Sequence, residues 1–224
     1  MKTIKLTVLA VSLLASTLVQ GQTNFSTFNS VNAAIPDANP TGLTSSTNLS
    51  GVIGYVSSVS VTLDITGGFN GDLYAYLVDP SGNLAVLLNR TGVGGVNAFG
   101  YGNTGFQITL DGTAANNIHG YGSSYSTNLL VQVTGSWLAD GRAIDPQSTP
   151  AVFDGAPTGA NLSLFNNLVA NGQWTLFVAD LSGGGQSTLV SWGLTVVTVP
   201  EPQTWAMAVG GLGLLLALNR RRAR

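Results

Sequence analysis

One histidine, nine scattered aspartates and no cysteine are the chemically capable residues of the 22–200 stretch. Thiolate chemistry is therefore excluded. His119 sits in the loop NNIHGYG, and a serine triad would need a nucleophile on a strained strand-to-helix turn. No G-x-S-x-G stretch supplies one. His119 is accordingly read as a structural or incidental loop histidine. Paired carboxylates fare little better, because the only glutamate of the chain is Glu201 and the aspartates fall at turns and strand ends. Asp79, Asp111 and Asp140 adjoin Pro or Gly or lie in a glycine-containing loop, where an Asp side chain bonds its own backbone. No catalytic residue and no bound cofactor is expected. Calcium is the ion that an exported acidic chain would take, since hard cations draw carboxylate and carbonyl oxygens from flexible loops. No D-x-[DN]-x-[DN]-G ladder nominates its ligands.

Two other motifs carry little chemistry. The stretch GYGNTG, 100–105, matches G-x-G-x-x-G, but dinucleotide binding needs a strand before it and a helix after it. The strand-like FQITLDG follows instead. Asn24, Asn48, Asn89 and Asn161 open N-x-[ST] triplets, which a chain rich in Asn, Ser and Thr contains by chance, so no glycan is assigned.

The elements that would position these residues are short and strand-like. In VSVTLDIT, Val59, Val61, Leu63 and Ile65 alternate with Ser60, Thr62, Asp64 and Thr66, one face apolar and one wet. In DLYAYLVD, Leu73, Ala75 and Leu77 oppose Tyr74, Tyr76 and Val78, so both faces look partly covered. DPSGN, 79–83, places Pro and Gly as a tight reversal needs them, and 84–88 is the returning strand. Further runs at 106–110, 129–134, 174–180 and 189–197 are separated by loops rich in Gly, Asn and Ser. No sustained helical period and no internal repeat appears. The reading is an all-β chain whose antiparallel sandwich or barrel spans 51–198 as one domain. The stretch 22–50 is polar and weakly periodic, and reads as a linker with one short strand.

Both ends look like export signals. Lys2 and Lys5 precede an apolar run, 6–19, then Gln20, Gly21 and Gln22, as a secretory signal is built. Cleavage is expected after Gly21, with a cut nearer Ala15 as the alternative and an uncleaved anchor as the rival reading. With both ends removed, only Arg90 and Arg142 face the nine aspartates, a formal charge of −7. Such a surface repels phosphate backbones, which argues against nucleic acid as a partner.

The stretch NGQWTLFVADLSGGGQSTLVSWGLTV, 171–196, resembles the P domain (P/Homo B domain) that follows the catalytic domain of subtilisin-like proprotein convertases. The matching residues are Gly172, Trp174, Thr175, Leu176, Asp180, Ser191, Trp192 and Leu194. The stretch 71–90 is similar to that family's G-D-L strand and P-x-G turn through Gly71, Asp72, Leu73, Pro80 and Gly82. The resemblance implies a jelly-roll β-sandwich that stabilises or interacts rather than catalyses. Trp174 and Trp192 would each bury an indole whose N–H needs a partner, and 183–185 would supply positive φ between their strands. About 37 residues separate Gly21 from Val59, too few for a protease domain, so any proteolysis label would describe an absent neighbour.

The tail resembles the PEP-CTERM sorting signal of Gram-negative bacteria: Val199, Pro200, Glu201 and Pro202, an apolar segment, then Arg220, Arg221 and Arg222. The 203–219 segment carries no formal charge over 17 residues, about 26 Å as a helix, and spans a bilayer only marginally. The resemblance implies an exosortase as partner, inner-membrane anchoring before processing, and release to the cell surface or an extracellular polysaccharide matrix. A permanent anchor is the rival reading. The expected role is adhesion or matrix structure, without enzymatic activity. The alternatives are an accessory P domain assisting a separate serine protease, and carbohydrate binding by Phe99, Tyr101, Tyr121 and Tyr125.

Overall fold

The computed structural model describes residues 22–126, 130–199, 210–213, 215, 216, 219 and 220. Its body, Asn24–Thr198, is built from nine strands in two sheets. They are β1 (Thr23–Ala34), β2 (Asn39–Leu49), β3 (Tyr55–Gly67), β4 (Leu73–Val78), β5 (Leu84–Asn89), β6 (Gly105–Asp111), β7 (Val133–Trp137), β8 (Gly172–Asp180) and β9 (Ser187–Val199). The five-stranded sheet runs β1-β9-β3-β6-β7 and the four-stranded sheet β2-β8-β4-β5. One hydrophobic cluster draws side chains from both, a sandwich-like arrangement.

The alternation expected in β3 sets the inner face. Val61 pairs with Leu110, Leu63 with Ile108 and Ile65 with Phe106 across the antiparallel β3–β6 ladder, and all six are buried. Leu73, Ala75 and Leu77 of β4 are fully buried against the same core. On the outer face of that sheet Tyr76 stacks on Phe177 at 4.6 Å, which explains why the β4 sequence looks covered on both sides. The pairing is not wholly antiparallel: β6 and β7 run parallel, from Phe106–Val133 to Leu110–Trp137. The strand expected at 129–134 forms four residues later, where Val133 and Trp137 turn inward.

The 22–50 stretch is not a linker with one short strand. It forms β1 and β2, an edge strand of each sheet. Their periodicity is hidden because the inward-facing positions include Thr27, Asn29, Ser45 and Thr47 beside Phe25, Val31, Leu43 and Leu49. Edge strands sit at the rim of the core and tolerate small polar residues there. One of them has a definite partner, since the buried Trp192 indole donates to Ser45 Oγ at 2.8 Å.

The long 139–159 loop covers the free edge of β5. Asp140 N–H bonds Leu87 O, Gly141 N–H bonds Val86 O, and Val86 N–H reaches Ala160 O. Those contacts occupy backbone groups that an open edge would present to other chains. A single-turn helix, α1 (Pro150–Asp154), lies within the loop.

The proposed secretory signal at 1–21 and the sorting residues Pro200, Glu201, Pro202, Arg221 and Arg222 lie outside the described residues. Val199 ends β9, and Arg220 is helical and exposed. Among the described residues no helix is long and apolar enough to cross a membrane.

Candidate functional site

Asn117 opens the 3₁₀ segment Ile118–Ser123 by accepting from His119 N–H at 2.9 Å. Its amide nitrogen donates to the carbonyls of Ala139 and Asp140, which ties the histidine loop to the 139–159 loop. His119, 8% exposed, then meets Asp140, fully buried, at 2.8 Å between Nδ1 and Oδ2. Asp140 Oδ1 pairs with Arg142 Nη1 at 3.0 Å, and Oδ2 also accepts from Asn89 N–H of β5. Phe153 of α1 lies parallel to the imidazole at 6.0 Å. Asp140 thus accepts locally, from Arg142 N–H at 3.3 Å, as its neighbours suggest, and is also the centre of a buried polar network. Asp79 and Asp111 do behave locally: Asp79 accepts from the N–H groups of Ser81 and Asn83, and Asp111 from Thr113.

An Asp–His pair at hydrogen-bonding distance is two-thirds of a hydrolytic triad, so the remaining nitrogen decides what it can do. Nε2 faces the Val93 carbonyl at 3.0 Å. Both ring nitrogens therefore face oxygens of the chain itself. The arrangement ties three loops together. Sequence reasoning missed it because His119 and Asp140 are separated by a complete strand. The signal available was a buried-type histidine in one glycine loop and the A-D-G-R sequence in another.

A second polar group lies at the end of β4 and β8. Asp180 pairs in register with Leu73, and Leu181 N–H bonds Asp72 O at 2.9 Å, which brings the two residues to the same end of the β4–β8 ladder. Asp180 is fully buried and Asp72 nearly so. Burial, more than any neighbour, pushes Asp180 up to about 6; hydrogen bonds from the Ser187 hydroxyl and the Ser182 backbone N–H partly offset that, while Asp72 and Asp37 add to it. Burial also raises Asp72, against a Ser182 hydrogen bond and the Arg90 charge, with Asp37 acting in the same direction as burial. Among the described residues no three His, Asp or Glu side chains close on one point as metal ligands.

The remaining motif residues meet through packing. Gly172 adopts φ +124°, and a Cβ there would sit 2.7 Å from the Pro80 ring, so the glycine of one stretch accommodates the proline of the other. Gly71 passes against Phe99 and Gly100 too closely for a side chain. Trp174 is buried with its indole donating to Ala170 O at 2.8 Å, and Leu176 and Leu194 are in the core. Thr175 and Ser46 share a hydroxyl contact across β8 and β2. Gly82 carries φ +88° in its turn, and in 183–185 Gly184 supplies the positive φ. The suggested aromatic platform does not form. Tyr121 is fully buried, Tyr101 and Tyr125 pack against the core, and only Phe99 is well exposed, at 85%.

No protein-family model and no curated protein matches the chain. Among the solved structures that resemble it are the Aeromonas sobria serine protease in complex with its chaperone and the serine protease of Aeromonas sobria. The first gives a TM-score of 0.48 at 17% identity over 86% of this chain. The second gives 0.47 at 18% identity over 84%. The chain spans only 30% and 29% of the length of those proteins.

Proposed function

We propose that this chain is an exported, non-catalytic β-sandwich module of jelly-roll type, sorted by an exosortase to the cell surface or an extracellular polysaccharide matrix. There it serves adhesion or matrix structure. The observation that supports the non-catalytic part is the closure of His119 between Asp140 and the Val93 carbonyl, which leaves the chain's single histidine without an open nitrogen. The sorting part rests on the resemblance of Val199 to Pro202, the apolar segment and the arginines to the PEP-CTERM signal.

Localising the mature chain in cells with and without the sorting enzyme tests the proposal. Retention in the inner membrane when the enzyme is missing is expected, and mass spectrometry should find both termini processed in its presence. An intact C-terminus on the mature protein counts against sorting. Purified protein should show no peptidase or glycosidase turnover, and His119→Ala should lower stability without touching any activity. Turnover abolished by that change would overturn the non-catalytic reading.

A second reading, an accessory module that stabilises a separate subtilisin-like serine protease, is supported by how the P-domain-like stretches meet. Residues 71–90 and 171–196 lie on β4, β5, β8 and β9, with Pro80 seated on Gly172. A rise in the melting temperature of such a protease on adding this chain would favour it.

A further inference from the structure

Four exposed apolar residues of the body come from two stretches, 43–58 and 160–171, that contain no Asp, Glu, Lys or Arg. They are Ile53, 78% exposed, Val169, 52% exposed, Leu164 and Tyr55. The two stretches are laced together through the main chain. Val56 N–H bonds Leu168 O at 2.9 Å, Asn167 N–H bonds Val56 O at 2.7 Å, and the Asn171 side chain bonds both the N–H and the carbonyl of Val52. The lacing satisfies backbone groups and leaves the apolar side chains facing water. Clustered apolar surface of that kind marks a contact site.

The cluster lies where both ends of the body emerge. Thr198, the last residue of the body, donates its hydroxyl to Ile53 O at 2.9 Å, and Ser57 Oγ reaches Val197 O. The Ser26 and Thr195 hydroxyls meet at 2.9 Å while Thr27 O lies against Gly193, so β1 begins at the end where β9 finishes. Asp37 in the β1–β2 turn, Asp72 before β4, Asp180 at the close of β8 and Arg90 after β5 belong to the opposite end. Two aspartates come to the cluster's own end. Asp79 is buried, and its Oδ1 accepts from the N–H groups of Ser81 and Asn83. Asp111 pairs with Ser60, further along β3 than Tyr55, and accepts from Thr113.

We infer that Ile53, Tyr55, Leu164 and Val169 form a lipid-contact tip that rests in the headgroup region of a bilayer while the chain is anchored. The inference rests on the anchoring part of the proposed function. Chain length argues for lipid as the occupant: five residue steps, at most about 18 Å of extended chain, separate Thr198 from Gln203, where the uncharged 17-residue segment begins. As a helix that segment is about 26 Å long, short of the ~30 Å hydrocarbon core, and a short segment is accommodated by thinning the bilayer, which keeps its flanks at the headgroups. The chemistry of the tip agrees. Its four side chains bring no charge to desolvate, and Tyr55 supplies an amphipathic ring of the kind that settles at the membrane–water interface. An uncleaved leader would tether the same end, because β1 begins there.

The chain has no cysteine, so a single introduced thiol carries a label without competition. The test reconstitutes the full chain into phosphatidylcholine vesicles with an environment-sensitive fluorophore at Ile53→Cys, Val169→Cys or Phe99→Cys, all exposed positions. Phe99 is the control, because it lies against Gly71 at the Asp72 end. The Ile53 and Val169 labels are expected to shift to the blue and to lose emission when nitroxide-bearing lipids are added, while the Phe99 label stays as it is in water. Val169→Asp should return the Ile53 label to water. Water-like emission at both tip positions, in a chain that floats with the vesicles, overturns the inference and leaves the anchoring reading intact. Blue-shifted labels that lipid nitroxides do not quench also overturn it, since a second copy or another protein then covers the tip. So does equal quenching at Phe99. A chain that does not float with the vesicles defeats the anchoring reading, and the inference falls with it.

Discussion

Tyr121 shows how one buried side chain ties the fold to pH. Its ring is fully buried among Tyr101, Phe106, Tyr125 and Trp137. Its hydroxyl donates to Asn103 Oδ1 at 3.0 Å and accepts from Asn70 Nδ2 at 3.2 Å. Burial pushes its ionisation well above the ordinary value of 10. The folded state therefore keeps the phenolic proton at pH values where the unfolded chain has lost it. The stabilising contribution is complete below about pH 10 and is lost as pH rises beyond it. In an alkaline titration followed by phenolate absorbance, Tyr121 should ionise only as the protein unfolds, and Tyr121→Phe should show a shallower loss of stability above pH 10. Ionisation of all six tyrosines together, with the fold intact, would contradict this.

At the scale of elements, the strands were legible where one strand carried its own pattern. β3 and β4 bury every second residue, and the DPSGN turn is closed by Asp79 within five residues, so local spacing was enough. β1 and β2 were not legible, because what holds them is across the sheet and not along the chain. Ser45 is the clearest case: a serine in a polar stretch signals nothing until Trp192, 147 residues later, is placed against it. Ser45→Ala should leave that buried indole N–H unpaired and cost about 1–3 kcal/mol in urea denaturation. A Ser45→Ala protein as stable as wild type would mean the hydrogen bond contributes nothing net.

For the whole molecule, β1, β2 and the turn between them flank one edge of each sheet, adding Ile35 and Leu49 to the shared core and covering β9 and β8. Deleting 22–50 should therefore do more than shorten a tether. Circular dichroism and thermal melts of the truncated chain are expected to show loss of the cooperative transition, since two long central strands would become bare edges. A truncated chain that melts as sharply as the full one would restore the linker reading. The same logic applies to the 139–159 loop, whose backbone bonds along β5 make it part of the sheet.

The sequence by itself determined the β-rich class, the inward face of β3, the two-sided cover of β4, the tight turn after β4, and the lack of an obvious nucleophile for His119. Each of these depends on residues a few positions apart, where side-chain alternation and turn chemistry act directly. Only the tertiary structure decided that His119 is enclosed by Asp140 and Val93, that β7 runs parallel to β6, and that Asp180 is buried at the end of β8. Those outcomes come from which distant segments share a ladder or a loop cluster. Chain order does not encode such adjacency until the sheets close and remove their interior from water.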